Sequence, residues 1–198
     1  MEPVLCDEDV EAFVRNGFVR ITEAFDRNLA KRCVDVLWSM LDVDRSAPQS
    51  WSKPVIRIPG SGHPDLVAAI NSPRVVGAVN ELLGGNQAWQ RRSTGYGTFP
   101  IRFPGDTDPG DTGWHIDGSF GDAPFYRVNF VSRGRALLLL MLFSDVTEVD
   151  APTRIRIGSH FDVARSLEGV GNDGIVFDVT RHAPATADHD VALATGRA

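Results

Sequence analysis

Residues 136–143 read Ala-Leu-Leu-Leu-Leu-Met-Leu-Phe, the longest apolar run in the chain. A membrane-spanning helix needs about 20 apolar residues. This run is far shorter, so it reads as a buried element of a water-soluble fold. It is apolar on both faces, which places it centrally. Length and periodicity alone do not separate strand from helix here. Gly134 before it and Ser144-Asp145 after it favour a strand.

The surrounding sequence fits that reading. From about Gln87 onward, short apolar or alternating runs are broken by Gly, Pro and Asp. They are Trp89 to Phe103, Trp114 to Asp117, Phe125 to Val131, Thr153 to Ile157, Gly174 to Val179 and Val191 to Ala194. Many short strands at close spacing point to a sandwich or barrel. The first 85 residues read differently. Asp7 can cap a helix carrying Val10, Phe13 and Val14, which Gly17 ends. Phe18 to Ile21 reads as a short strand. Asp26 opens a helix with Leu29, Cys33, Val36, Leu37, Met40 and Leu41 at amphipathic spacing. Ser72-Pro73 is a cap followed by a first-turn proline. The helix behind it carries Val75, Val76, Val79, Leu82 and Leu83, and Gly84-Gly85 closes it. The expectation is a single domain over 1–198, helical over 1–85 and β-rich over 86–198.

Bulk composition narrows the function. The chain has 198 residues, is 42% hydrophobic and carries a net charge of −6. It is too apolar for disorder and lacks the basic face that nucleic acid requires. The N-terminus is acidic and has no apolar signal core. Cys6 and Cys33 form no CxxC pair and are expected as reduced thiols in a cytoplasmic protein. Nucleic acid and membrane are therefore excluded as expected partners.

Two motifs fail on context. Gly169 to Gly174, "GVGNDG", matches GxGxxG, but a helical stretch, Val163 to Leu167, precedes it and a strand-like run follows. A dinucleotide loop needs the reverse order. Asp106, Asp108 and Asp111 hint at calcium, but Asp111 stands where an EF-hand loop needs glycine. The acidic, turn-rich segment Pro104 to Gly113 reads instead as a solvated loop that delivers the chain into "GWHIDGSF", Gly113 to Phe120.

In that stretch His115 and Asp117 lie two apart. On a strand, residues i and i+2 share a face, so an imidazole and a carboxylate can meet one ion. A neutral nitrogen and an anionic oxygen suit Fe(II). One further histidine would complete the two-His-one-carboxylate facial triad, which leaves positions open for a co-substrate and O2. The same spacing also occurs in surface His and Asp pairs with no ion.

Four stretches, taken in order, resemble the phytanoyl-CoA dioxygenase family of Fe(II)/2-oxoglutarate-dependent oxygenases. They are "VEAFVRNGFVRITEAF" (Val10 to Phe25), "GWHIDGSF", "RALLLLMLFSDV" (Arg135 to Val146) and "DAPTRIRIGSHFDVAR" (Asp150 to Arg165). The resemblance implies a double-stranded β-helix, or jelly-roll, with N-terminal helices packed against it. It implies Fe(II) as cofactor, with His115 and Asp117 as ligands. It also implies 2-oxoglutarate and O2 as co-substrates and hydroxylation of a small organic molecule. In related halogenases a small residue replaces the carboxylate, so Asp117 favours hydroxylation.

The third ligand is not matched. His160, in "IGSH", is expected to be structural, and His63, in "GSGHP", to be a cap or surface residue. His182 and His189 lie in polar, proline-containing sequence. The family's distal histidine and its 2-oxoglutarate-binding arginine follow a strand that "VALATGRA", Val191 to Ala198, resembles. Three expectations follow: a C-terminally truncated enzyme lacking the last jelly-roll strands, an inactive relative that binds or scaffolds, or an unusual site completed by His182 or His189.

Overall fold

The computed structural model describes residues 3–85, 96–109, 114–117, 120, 127–131, 137–176 and 190–192. Helix α1 spans Asp7–Asn16. Its N-cap is Cys6, one residue before the expected Asp7. The Asp9 carboxylate accepts from the Cys6 backbone N–H and thiol, at 3.2 and 3.3 Å. Asp7, Glu8 and Asp9 place negative charge in the first turn, where the helix dipole favours it. Gly17 ends α1 at φ 87°, in the left-handed region, which glycine enters at no steric cost.

Helix α2 spans Arg27–Ser39, and the Asp26 side chain accepts from the Leu29 N–H at 2.9 Å. Its buried residues are Leu29, Cys33 and Leu37. They are four apart, so they stack on one face. Strand β1, Val55–Pro59, lies in the half that reads helical. Helices α3, Pro64–Ile70, and α4, Pro73–Leu82, follow. Both begin with a cap and a first-turn proline. Ser72 serves twice: its hydroxyl accepts from the Val75 N–H at 3.2 Å and donates to the Ala24 carbonyl. That bond ties the start of α4 to the entry of α2.

Strand β2, Thr98–Arg102, pairs antiparallel with β1. The register sets Ile58 opposite Phe99 and Ile56 opposite Ile101. Apolar pairs therefore face the helices, which is where cross-strand contacts stabilise a sheet. The resulting core joins Leu29, Cys33, Leu37, Leu66, Ala69, Ile58 and Phe99. The expected strand at Phe18 to Ile21 is not formed. That segment lines a cleft of about 380 Å³ with Val4, Leu5, Asp9 and Arg74.

In the later half, β3, Arg154–Arg156, pairs antiparallel with β4, Asp190–Ala192. Isolated antiparallel bridges join Phe120 to Arg127 and Val128 to Ile175. Helix α5, Ser159–Ser166, follows β3 directly. The expected runs at Thr153, Gly174 and Val191 thus contain strand pairing, all of it antiparallel. The expected run from Trp89 to Phe103 contains β2, and that from Phe125 to Val131 contains the bridged Arg127 and Val128; residues 89–95 and 125–126 fall outside the described residues.

Residues 137–143 depart from the central strand expected of them. Among the described residues nothing pairs with them. Their burial alternates strictly, however, and Leu138, Leu140 and Leu142 are 57%, 48% and 37% exposed. A period of two is that of an extended chain. The inner face ends in Phe143, whose ring lies 5.4 Å from Phe25 and 5.8 Å from Tyr96. The run is therefore apolar on two faces but covered on one. No described helix is long and apolar enough to cross a membrane.

Candidate functional site

Residues 114–117 carry no regular hydrogen-bonded structure, yet their exposure alternates as expected of a strand. Trp114 and Ile116 are half-buried, whereas His115 and Asp117 are exposed. The two candidate ligands thus share the outward side. Trp114 anchors the segment. The Arg156 guanidinium lies 5.0 Å from its ring centre and that of Arg154 lies 5.5 Å away. Cation–π contacts at these distances contribute about 0.5–1 kcal/mol each at exposed sites. Arg154 and Arg156 are i and i+2 on β3, so they project from one face of that strand. The structure thereby connects the "GWHIDGSF" stretch to the "TRIRIGSH" stretch, which sequence reasoning had treated separately. The available signal was the R-x-R alternation, whose target could not be read locally.

The other histidines sort clearly. His63 caps α3, its Nδ1 accepting from the Asp65 N–H at 3.3 Å. His160 stands in the first turn of α5, with its Nε2 2.9 Å from the Val14 carbonyl oxygen. A carbonyl only accepts, so the ring donates there. His160 therefore closes the C-terminus of α1, a structural task as expected. His182 and His189 lie outside the described residues. Among the described residues, no group of three or more His, Cys, Asp or Glu side chains could hold a metal ion. His115 and Asp117 offer an imidazole nitrogen and a carboxylate, two donors of a chemistry that suits iron.

The rejected motifs behave as turns. Gly169 and Gly174 adopt φ 81° and 63°. Arg127 donates to the Asp173 and Gly174 carbonyls at 2.7 Å each, and Asn129 to the Asn172 carbonyl at 3.0 Å. The loop follows α5 instead of opening a helix. In the acidic loop, Asp106 and Asp108 are exposed, and Asp111 lies outside the described residues.

Both cysteines are free thiols, Cys6 exposed and Cys33 buried. Burial pushes the Cys33 thiol up to about 11, with the Asp65 charge acting in the same direction. It remains protonated and unreactive at neutral pH. A shallow groove of about 710 Å³ runs past Phe25, Leu29, Val67 and Pro73. His115 and Asp117 line neither this groove nor the cleft beside α1.

No family model, no curated protein and no solved structure matches the chain.

Proposed function

We propose that the chain is an Fe(II)/2-oxoglutarate-dependent dioxygenase that hydroxylates a small organic substrate, with His115 and Asp117 as two of three iron ligands. The observation that carries this reading is the alternation over 114–117. It turns an imidazole and a carboxylate to the same side while Trp114 is held beneath Arg154 and Arg156. Iron bound there would supply open coordination positions for 2-oxoglutarate and O2. The protein's own part is to fix the two donors and to keep a dry, shaped approach to them.

The third ligand is His182 or His189, or a residue outside these 198. Within the chain the choice narrows by engagement, since His63 and His160 already serve as caps. The β3–β4 pairing adds support. It returns the chain at Asp190 to the strand whose arginines cover Trp114, and His189 is the preceding residue in sequence.

Anaerobic Fe(II) binding tests the reading. His115→Ala and Asp117→Ala should each weaken Fe(II) binding by at least about tenfold, the lower bound seen even for outer-shell changes. His160→Ala should leave it unchanged. Loss of binding on His189→Ala or His182→Ala would identify the third ligand. Fe(II) binding indifferent to His115 would refute the proposal and leave the alternative, a catalytically inactive jelly-roll binding or scaffold protein.

A further inference from the structure

Residues 137–143 run extended, with Leu137, Leu139, Met141 and Phe143 half-buried and Leu138, Leu140 and Leu142 exposed. Among the described residues, none of their backbone N–H or C=O groups is hydrogen-bonded to another part of the chain. Each of these residues carries one donor and one acceptor, since none is proline. Such an edge is a template for a further strand. Proteins guard free edges with lysine, proline or inward-pointing charge, and 136–143 contains none of these. The run is also uncharged throughout, so a second copy laid antiparallel to it meets no like charge. In sequence, Arg135 precedes the run and Asp145 follows it, with Leu140 midway between them.

We infer that residues 137–143 are an interaction edge for a second copy of this chain, paired antiparallel about a two-fold centred on Leu140. That register sets Leu140 opposite its own counterpart, Leu138 opposite Leu142, Leu139 opposite Met141 and Leu137 opposite Phe143. Opposed residues then belong to the same face in both copies, and directly opposed apolar side chains cover one another. A slip by one residue would set exposed leucines against the half-buried face. Carried on along the sequence, the same register sets position 135 against position 145 of the partner subunit, so opposite charges meet at both ends. A two-fold contact is isologous and closes at the dimer. A single strand edge falls short of the roughly 800 Å² a side of a stable interface, so the dimer is a weak one. The inference is independent of the metal reading.

The experiment is sedimentation velocity on the full chain, without metal, from about 1 μM to 1 mM, the span expected of a small interface. The sedimentation coefficient should rise from the monomer's to the dimer's and stop there. Leu140→Lys sets like charges opposite each other at the two-fold and should raise the midpoint concentration about tenfold or more. Leu140 is exposed, so the monomer should keep its fold, which circular dichroism checks. Val149→Lys, at an exposed position outside the run, should leave the midpoint unchanged. A second pair of variants tests the register. Arg135→Asp and Asp145→Arg should each weaken association about tenfold at low salt, because like charges replace opposite ones at both ends. Mixed in equal amounts, the two variants restore opposite charges only in the mixed dimer, so the mixture should associate as the native chain does. A chain that stays monomeric to the top of the range overturns the inference and leaves the edge to an extended segment of another protein. Association that Leu140→Lys leaves unchanged, or that runs past the dimer into open-ended assemblies, overturns it too. Failure of the mixture to restore association overturns the register, and the two-fold with it.

Discussion

Gly17→Ala is the sharpest probe of how the two halves of the chain are joined. Gly17 holds φ 87°, and a Cβ built on it would lie 2.4 Å from His160 Nδ1. Two costs arise. The left-handed conformation is worth about 1–2 kcal/mol against any side chain. The His160 ring must also move, forfeiting its 2.9 Å bond to the Val14 carbonyl, a further loss of about 1 kcal/mol. The sum, about 2–3 kcal/mol, should lower the melting temperature by roughly 5–10 °C for a chain of this size. The discriminating measurement is a double-mutant cycle by urea unfolding. In a His160→Ala background the added methyl meets no ring, so only the conformational cost remains. The double variant should then be less destabilised than the sum of the single ones by about 1 kcal/mol. Additivity within about 0.3–0.5 kcal/mol, as for independent sites, would refute the claim that His160 closes α1 over Gly17.

Two further tests address the helical half. Glu81 accepts from both the Val4 and Leu5 N–H groups at 2.9 Å, clamping the N-terminal segment along α4. Glu81→Ala should cost about 2–3 kcal/mol, since bonds to charged groups are worth about 1.5–3 kcal/mol when shielded and less when partly exposed. Amide exchange at Val4 and Leu5 should accelerate while the Leu29 amide stays protected, and unchanged exchange at Val4 would remove the clamp. In the native chain a thiol reagent should modify Cys6 and spare Cys33 until the protein unfolds. The Cys33 thiol is raised to about 11 in the fold, against about 8.5 for a free thiol. At pH values between these the unfolded chain loses a proton that the folded chain keeps. Its contribution to stability is therefore complete below pH about 8.5 and is lost as pH rises toward 11. A Cys33→Ala variant should lack that part of the alkaline decline, and an identical pH profile would count against it.

What was legible in the sequence was local. Asp26, Ser72-Pro73 and Gly17 mark helix ends because a cap is made within three or four residues, and each sits where expected. The amphipathic face of α2 was legible for the same reason, since its spacing alone selects Leu29, Cys33 and Leu37. The strand at Val55–Pro59 was missed because five residues with one clear alternation compete poorly with the helices around them, and its partner lies about forty residues away. The run at 136–143 shows the limit from the other side. Its composition gives two apolar faces, but which face is covered depends on Phe25 and Tyr96, residues no window over the run contains.

The candidate site divides along the same line. His115 and Asp117 stood out as a candidate pair because an i, i+2 spacing can be read from the sequence, and spacing is local. Arg154 and Arg156 were not found, because an arginine's role is decided by what it lies against. Their contact with Trp114 crosses about forty residues and leaves no periodic trace. The distinction bears on chemistry. A two-residue ligand motif can arise by chance anywhere in a sequence, whereas a second segment delivering two cations to the residue beside it requires the chain to have folded that way. The contact of the arginine pair with Trp114 is therefore the firmer feature of this edge of the molecule, and the metal pair beside it stands or falls on Fe(II) binding alone.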